Sequence, residues 1–486
     1  MGSGGLSEKQ PGRYNLGIVE YHDCLGGKFL AEVAEYPVPA LTILIDKQFG
    51  RITLGKGIFG YPFVRQRIII VFYSYFRYHK AAKILILPII LKIFSVSLQD
   101  MRDMSEYEGI RPYSDAEAVE AFSRIARHPA LPVISKYLFP RKPLGYLASL
   151  LSGVRSVDEF QDVVMTGVVR SVLVKTSEGF TYKGIENLQN LKGRKFLAVS
   201  NHRDIVIDPA LILYAMHDGG LPYGELCVGS NLLQGQLIED LMRSNRMIKV
   251  IRGISARELY LSSKLLSKYI RETITSGASS VWIAQREGRT KDGHDTTEQG
   301  LLKMFDLSGE KGFEQNFKDL CIVPMSISYE YESCDSRKAR ELLIRKQTGS
   351  YTKKPKEDTH SIMTGIRQFK GHIHLNIGEP LSDEEIAAAA ACTGNDRYQG
   401  IRHAVDRRII EGYKLFKTNY MGYDLMNGTS EYLGVKYLPE DLEAFKAYTQ
   451  HKLGKLERGL DKEELRDIFW HIYGNPVASK KELTML

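Results

Sequence analysis

A histidine with two aspartates close behind it, His202, Asp204 and Asp208, is the group in this sequence best suited to chemistry. It follows an apolar run, Phe196–Val199, that is short enough to be a buried strand. Asp208-Pro209 predicts the start of a helix, with the aspartate as N-cap and the proline at the first helical position. A neutral imidazole there can take a proton from a hydroxyl, and a neighbouring carboxylate can fix its tautomer. Taken alone, such a histidine is more often a structural loop residue than a base, so other elements must decide.

Three further strand-like runs end in residues that could serve the same site. Met247–Ile251 is followed by Arg252, Val281–Gln285 leads into a basic loop over 286–291, and Ile322-Val323 is followed by Pro324. Parallel strands gather their C-terminal ends at one edge of a sheet, so we expect these loops to converge with His202. Four cationic side chains would then offer contacts to a phosphate: Arg252, Arg286, Arg289 and Lys291.

The elements that must position these residues alternate along the chain between about 180 and 330. The predicted strands are Phe196–Val199, Leu226–Val228, Met247–Ile251, Ser280–Ala284 and Cys321–Ser328, with Ile373–Ile377 as a further candidate. Helices are predicted between them, at about 209–217, 231–244, 255–275 and 298–307. This alternation predicts an α/β fold with a mainly parallel sheet flanked by helices.

Helical sequence is predicted on both sides of this region. A capping pattern, Ser114-Asp-Ala-Glu117, begins a helix that ends at Arg127. The other predicted helical stretches are Pro132–Leu151, Val157–Val174, Asp383–Ala391, Arg397–Lys417, Pro439–His451 and Lys462–Trp470. We therefore divide the chain into an N-terminal extension (1–103), a helical layer (104–179), an α/β domain (180–380) and a C-terminal helical region (381–486).

The extension over residues 1–103 differs from the rest of the chain in composition. It holds thirteen basic and eight acidic residues, and its two apolar runs, 68–76 and 84–91, are too short to cross a bilayer as helices. A basic, apolar stretch of this kind could lie in an anionic membrane interface. A second hypothesis is that the natural chain begins at Met101 or Met104 and that the upstream part is extra translated sequence.

Composition indicates a folded protein in a reducing compartment. The 486 residues are 43% hydrophobic and carry a formal net charge of +8, which favours phosphates or an acidic membrane face as partners. The five cysteines are scattered and form no Cys-x-x-Cys pair, which argues against a disulfide framework and a cysteine zinc site. Nucleic-acid binding would rest on net charge alone and is not predicted.

Four short blocks, taken in order, resemble the glycerolipid acyltransferase family, which includes the 1-acylglycerol-3-phosphate acyltransferases. The blocks are Asn201-His202 with Asp208, Ile251-Arg252-Gly253, Glu287-Gly288-Arg289 and Val323-Pro324. The resemblance covers about 180–330 firmly, and it leaves out residues 1–103 and the C-terminal helices. Four blocks in the family's order are a specific signal.

The resemblance implies direct acyl transfer at the cytoplasmic face of a membrane. His202, oriented by Asp208, would be the general base on a lysophospholipid hydroxyl, which attacks an acyl-coenzyme A or acyl-carrier-protein thioester. The side chains expected to bind substrate are Arg252, Glu287, Gly288 and Arg289. Neither a cofactor nor a metal is expected.

Two departures from the family pattern leave residue roles open. Five residues, instead of the family's four, separate His202 from Asp208, so Asp204 competes as its partner. The third block is usually Glu-Gly-Thr-Arg, and here Arg289 or Lys291 could do the work of that arginine.

Three other functions compete with acyl transfer. His202-Arg203-Asp204 mimics the kinase catalytic loop, but Pro209 stands where that loop needs asparagine. A metal could be held by His202 with its two aspartates, or by His372 and His374, although that second pair more simply lies on one sheet face. The third alternative is a protein that binds lipid without catalysing a reaction.

Overall fold

The computed structural model describes residues 106–485, apart from residues 234 and 254. The predictions for 1–103, including a chain start at Met101 or Met104, lie outside the described residues. Among those described, no helix combines the length and apolarity that crossing a membrane requires. No observation here tests the four proposed domain boundaries, which stay predictions.

A seven-stranded sheet forms the centre of the fold. Its strands are β1 (Gly179–Lys183), β2 (Leu197–Ser200), β3 (Glu225–Gly229), β4 (Met247–Val250), β5 (Val281–Ala284), β6 (Ile322–Tyr329) and β7 (His372–Ile377). The order across the sheet is β1-β7-β6-β2-β5-β3-β4, and every neighbouring pair is parallel except β6 with β7. The predicted α/β class with a mainly parallel sheet is confirmed.

Strand β2 lies in the middle of the sheet, and all four of its residues are buried. Leu197 is in register with Val281 of β5 on one side and with Ile322 of β6 on the other. Short apolar runs suit such strands, because both of their faces are covered by helices. Since β2, β3, β4, β5 and β6 run in the same direction, the loops that follow them meet at one edge of the sheet.

Eighteen α-helices surround the sheet within the described residues. Those before and among the first six strands are α1 (Asp115–Ala126), α2 (Leu131–Leu138), α3 (Tyr146–Gly153), α4 (Val157–Glu159), α5 (Thr166–Thr176), α6 (Ile185–Gln189), α7 (Ile207–Asp218), α8 (Gln236–Arg243), α9 (Ala256–Thr275), α10 (Gln299–Asp306) and α11 (Phe313–Leu320). Those after β6 are α12 (Asp335–Thr348), α13 (Glu357–Arg367), α14 (Asp383–Ala390), α15 (Asp396–Glu411), α16 (Lys417–Asn427), α17 (Pro439–Leu453) and α18 (Lys462–Met485). A π-helix, Phe160–Met165, joins α4 to α5.

The helical layer α1–α5 packs on the sheet through one apolar cluster. Phe122 of α1 stacks on Phe160, with ring centroids 4.7 Å apart, and the cluster continues to Leu211 of α7 and Ile327 of β6. Helix α1 begins as predicted, because Ser114 and Glu117 form a complete capping box. The layer is therefore fixed to the sheet rather than hanging free.

The predicted start of the helix after β2 is two residues too late. Helix α7 begins at Ile207 with Val206 as N-cap, so Asp208 lies inside the first turn. Asp204 replaces it at the helix end, because its Oδ1 accepts the backbone N–H groups of Val206 and Ile207, both at 2.9 Å. An aspartate two or three residues ahead can satisfy these free donors equally well, which leaves Asp208 available for His202.

The predicted helix over Arg397–Lys417 is correct as far as Glu411 but too long, because α15 ends there and α16 begins at Lys417. Gly412 lies so close to Asn376 and Ser326 that a Cβ there would clash with both side chains. The next residue, Tyr413, then turns inward and donates a hydrogen bond to Asp295 at 2.6 Å. Tertiary contact with the sheet thus overrides a helical sequence pattern at this point.

Candidate active site

His202 lies in the loop just after β2, and the neighbouring strand β5 holds that loop in place. The N–H of Thr290 donates to the carbonyl of His202 at 2.8 Å. The indole ring of Trp282 meets the imidazole edge-on at a centroid distance of 5.7 Å, and its Nε1 donates to Ser200 Oγ at 2.9 Å. The histidine is thus supported by both its own loop and the loop after β5.

Asp208, and not Asp204, is the hydrogen-bond partner of His202. Its Oδ2 accepts from His202 Nδ1 at 2.9 Å and from the N–H groups of Arg203 and Asp204 at 2.5 and 2.8 Å. Because the carboxylate can only accept, it assigns the proton to Nδ1 and leaves Nε2 with its lone pair. Such an imidazole can receive a proton from a substrate hydroxyl.

Tyr329, on β6, completes this chain of hydrogen bonds and was missed by the sequence prediction. Its hydroxyl donates to Asp208 Oδ1 at 2.6 Å, and both side chains are buried. Burial, and next the charge of Asp208, holds the pKa of the Tyr329 phenol well above its ordinary value, so it keeps its proton and stays a donor. The only sequence signal was a tyrosine in the strand that carries Val323-Pro324.

A cavity of about 770 Å³ opens next to His202. One part of its wall is apolar and comes mainly from the helical layer and α13, including Leu131, Leu151, Val168 and Ile366. The other part is charged and carries eight basic side chains against three acidic ones. The basic ones are Arg252, Arg286, Arg289, Lys291, Arg345, Lys353, Arg367 and Lys370, and the acidic ones are Glu287, Glu341 and Asp358.

Of the six predicted site residues, five line this cavity and the sixth, Asp208, lies behind His202. Arg252 Nη1 donates to Glu287 Oε1 at 3.1 Å, which joins the ends of β4 and β5. Gly288 has φ +72°, a left-handed conformation that glycine adopts without strain. The predicted loops after β2, β4 and β5 therefore do converge on one edge of the sheet, whereas Pro324, predicted to follow a strand, lies inside β6 and does not line the cavity.

Arg289 is buried in the cavity wall without a partner. It is 8% exposed, and among the described residues it makes neither an ion pair nor a hydrogen bond. Lys291 differs, because its Nζ lies 2.5 Å from Glu341 Oε2. The charge of Asp358 acts on Arg289 from nearby, but a buried guanidinium that makes no direct contact with an anion is costly. Its presence beside a cavity therefore indicates a site for an anionic ligand.

Other polar residues of the cavity wall come from the segment between β6 and β7, where no helix was predicted. Lys353 Nζ pairs with Asp358 Oδ1 at 2.7 Å, and Asp358 Oδ2 accepts from Asn231 at 3.1 Å. Only the acidic first turn of α13 hinted at this helix in the sequence. These contacts tie α13 across the charged part of the cavity.

Within residues 106–485, one group of side chains could hold a metal ion. It comprises Glu178, Glu330 and His372, whose ligand atoms lie within 4.8 Å of one another. None of the three lines the cavity. Of the alternatives raised above, His374 bonds through Nδ1 to Thr181 instead, at 2.8 Å.

Comparison with protein-family models gives a match over residues 179–328, to the family described as Acyltransferase. Residues 179–328 belong to the acyltransferase family. The resemblance inferred from the four blocks is thereby confirmed, and an acyltransferase activity follows at that general level. A search of curated proteins found no match to the chain.

The acyltransferase domain, taken as the matched segment, contains β1–β5, β6 except for its last residue, and all six predicted site residues. The helical layer α1–α5 and helix α13 lie outside it, although both help to line the cavity. The acyltransferase domain therefore carries His202 and the charged residues nearest to it, whereas the rest of the chain supplies much of the apolar wall and further charged side chains, such as Arg345 and Lys353.

Proposed function

We propose that this protein transfers a fatty acyl group from an acyl thioester to the hydroxyl of a lysophospholipid, with 1-acylglycerol 3-phosphate as the first candidate. The observation that carries the proposal is one cavity holding three features together: the His202–Asp208 pair, an apolar wall and the unpaired guanidinium of Arg289. A lysophospholipid has the matching parts, which are a hydroxyl, an acyl chain and a phosphate.

The transfer proceeds in one attack followed by one collapse. Nε2 of His202 takes the proton of the acceptor hydroxyl as the oxygen attacks the thioester carbonyl, and Asp208 stabilises the imidazolium that forms. The tetrahedral intermediate then collapses, the C–S bond breaks, and the imidazolium returns its proton to the departing thiolate. The products are an ester and a free thiol, and neither a cofactor nor a metal takes part. Either acyl-coenzyme A or acyl-carrier protein can be the donor.

The phosphate of the acceptor is held at the charged part of the cavity. Arg289 offers the planar donor pair that fits a phosphate, and Arg252 can exchange its contact with Glu287 for a second one. Gly288 allows the backbone to approach closely. The acyl chains lie along the apolar wall, where each buried CH₂ contributes about 0.8 kcal/mol.

We place the protein on an anionic membrane, peripherally and at the cytoplasmic face. Val133 of α2 is 72% exposed and lines the cavity. Lys136, Arg141 and Lys142 lie close by in sequence, and such a mixture of apolar and basic side chains suits an acidic lipid surface. The free cysteines among the described residues agree with a reducing compartment.

The test is an acyl-transfer assay with purified protein. Labelled acyl-coenzyme A and acyl-carrier protein are each offered with lysophosphatidate, glycerol 3-phosphate and a lysolipid with an amino-acid head group. We expect labelled ester from lysophosphatidate and a loss of roughly 10²–10⁴ in rate for His202→Ala. His451→Ala, which removes an exposed histidine from α17, is the matched control and should keep the wild-type rate.

The alternatives give different results in the same assay. Acylation of another acceptor, but never of lysophosphatidate, would move the proposal to that O-acyltransferase reaction. Binding of lysophosphatidate without any turnover, in wild type and His202→Ala alike, would instead identify a non-catalytic lipid-binding protein.

A further inference from the structure

A buried carboxylate outside the predicted site, Asp295, lies directly beneath the two loops that carry the chemistry. Its side chain is completely buried and accepts four hydrogen bonds. Oδ2 accepts from Asn201 Nδ2 at 2.9 Å, from Arg203 Nη2 at 2.5 Å and from the Tyr413 hydroxyl at 2.6 Å. Oδ1 accepts from Thr290 Oγ1 at 2.5 Å. All four side chains therefore donate to the one carboxylate of Asp295.

Three of the four donors belong to the two loops of the site. Asn201 and Arg203 are the immediate neighbours of His202, whereas Thr290 lies between Arg289 and Lys291. The backbone makes the same connection, because Thr290 N–H donates to the His202 carbonyl at 2.8 Å. Asp295 therefore joins the loop of the base to the loop of the anion-binding arginine.

The charge of Asp295 is compensated inside the protein. Burial disfavours the ionised carboxylate, but the Arg203 guanidinium and the neutral donors outweigh it and hold its pKa below the ordinary value. Arg203 also lies 3.6 Å from Glu332, which is paired with Lys338. The two loops are therefore held by a buried ion pair and several hydrogen bonds to one carboxylate, an arrangement in which a small displacement breaks several bonds together.

We propose that Asp295 is a positioning residue that sets the separation between His202 and Arg289, and thereby between the general base and the phosphate of the acceptor. This inference rests on the proposed function. Asp295 itself does not line the cavity and touches no substrate. Its contribution is geometric, because the hydroxyl and the phosphate of one acceptor must reach their two partners at the same time.

Two variants separate positioning from simple stability. Thr290→Val and Tyr413→Phe each remove one hydroxyl donor from Asp295 while nearly preserving side-chain shape, but only the first releases the anion-binding loop. We expect Thr290→Val to raise KM for lysophosphatidate roughly tenfold, the cost of one hydrogen bond to a charged group. Tyr413→Phe should stay within about twofold, and Thr290→Ser, which restores the hydroxyl, should recover most of the loss.

Amide hydrogen exchange measures the release of the anion-binding loop independently of enzyme activity. In Thr290→Val, amides over 286–291 should exchange faster than in wild type, whereas Tyr413→Phe should leave them unchanged. Equal effects of the two variants on KM and on exchange, or none from Thr290→Val, would overturn the inference. If Thr290→Val exchanges faster but the wild-type protein acylates no acceptor, the role of Asp295 in holding the two loops stands and the proposed function is rejected. Should Thr290→Val not fold, Thr290→Ala and Thr290→Ser provide the same comparison.

Discussion

His202 and Arg289 line the same cavity, but only His202 is hydrogen-bonded to a carboxylate. The imidazole has its partner, because Asp208 accepts from Nδ1 while being held itself by Tyr329 and two backbone N–H groups. The guanidinium makes no hydrogen bond or ion pair among the described residues, although Arg289 is only 8% exposed. A base must be oriented before substrate arrives, whereas an anion site must keep its donors available. The contrast agrees with the roles proposed for the two residues.

Lys291 gives the acceptor site a pH dependence. Burial, and next the charge of Arg289, lowers its pKa to about 8, although Glu341 opposes the shift. The ammonium therefore loses its proton as the pH rises through 8, and its attraction for a phosphate is lost with it. We expect KM for lysophosphatidate to rise roughly tenfold between pH 7 and pH 9.5. Lys291→Arg stays charged, so its KM for lysophosphatidate should change little over this pH range. An equal rise in KM in both proteins would show that Lys291 is not the titrating group.

At the scale of elements, the C-terminal edge of the sheet carries the candidate site, whereas the opposite edge carries a buried carboxyl group outside it. The loops after β2, β4 and β5 supply His202, Arg252 and Glu287, and all of these lie at the C-terminal edge. The opposite edge carries Glu225 at the start of β3, where Tyr269 of α9 donates to its Oε2 at 2.8 Å. Ionisation there should affect stability without touching the chemistry.

Glu225 should make the folded protein less stable above neutral pH. Burial raises its pKa to about 7, above the ordinary value of about 4.3 in an unfolded chain. The folded state therefore holds the proton more tightly. The resulting stability is complete below about pH 4.3 and is lost as the pH rises through 7. Glu225→Gln cannot ionise, so we expect its free energy of unfolding to exceed that of wild type by about 3 to 4 kcal/mol at pH 8 and by about 1 kcal/mol at pH 5.

Urea denaturation at the two pH values measures this difference. Glu186→Gln, on the exposed surface of α6, is the matched control and should track wild type at both. The same pH dependence in Glu225→Gln and in wild type would show that another group is responsible.

At the scale of the whole molecule, the cavity belongs to no single part of the chain. The acyltransferase domain provides His202 and Arg289, the helical layer provides apolar side chains, and the segment between β6 and β7, which includes α13, provides both apolar and charged ones. Val133 stands more than two-thirds exposed at this wall. An acyl chain leaving a bilayer would therefore meet apolar side chains before it meets the site, which is the physical basis for placing α2 against lipid.

Val133→Asp tests this placement. An added charge on an inserted surface opposes membrane binding, so we expect at least fivefold weaker binding to anionic vesicles in a sedimentation assay. Turnover of a short-chain, water-soluble acceptor should be unchanged. Val435→Asp, at a residue that is 76% exposed and does not line the cavity, is the matched control. Equal loss of binding in both variants would place the lipid-facing surface elsewhere.

The sequence by itself determined the α/β class, most strands and the identity of the converging loops. Short apolar runs such as Phe196–Val199 carry that information locally, because a strand covered on both faces needs apolar residues throughout. Functional blocks are also local, since a strand end and the turn after it occupy few residues. Arg252 and Glu287 could therefore be named before the fold was known.

Only the tertiary structure decided which side chains meet across long distances in the chain. Spacing could not choose between Asp204 and Asp208, because that choice depends on which carboxylate caps α7 and which one receives the hydroxyl of Tyr329, 121 residues away. Nor could it show that Lys291 is paired with Glu341 while Arg289 is not. Periodicity reports which face of an element is buried, whereas a hydrogen bond or an ion pair depends on how separate elements are packed.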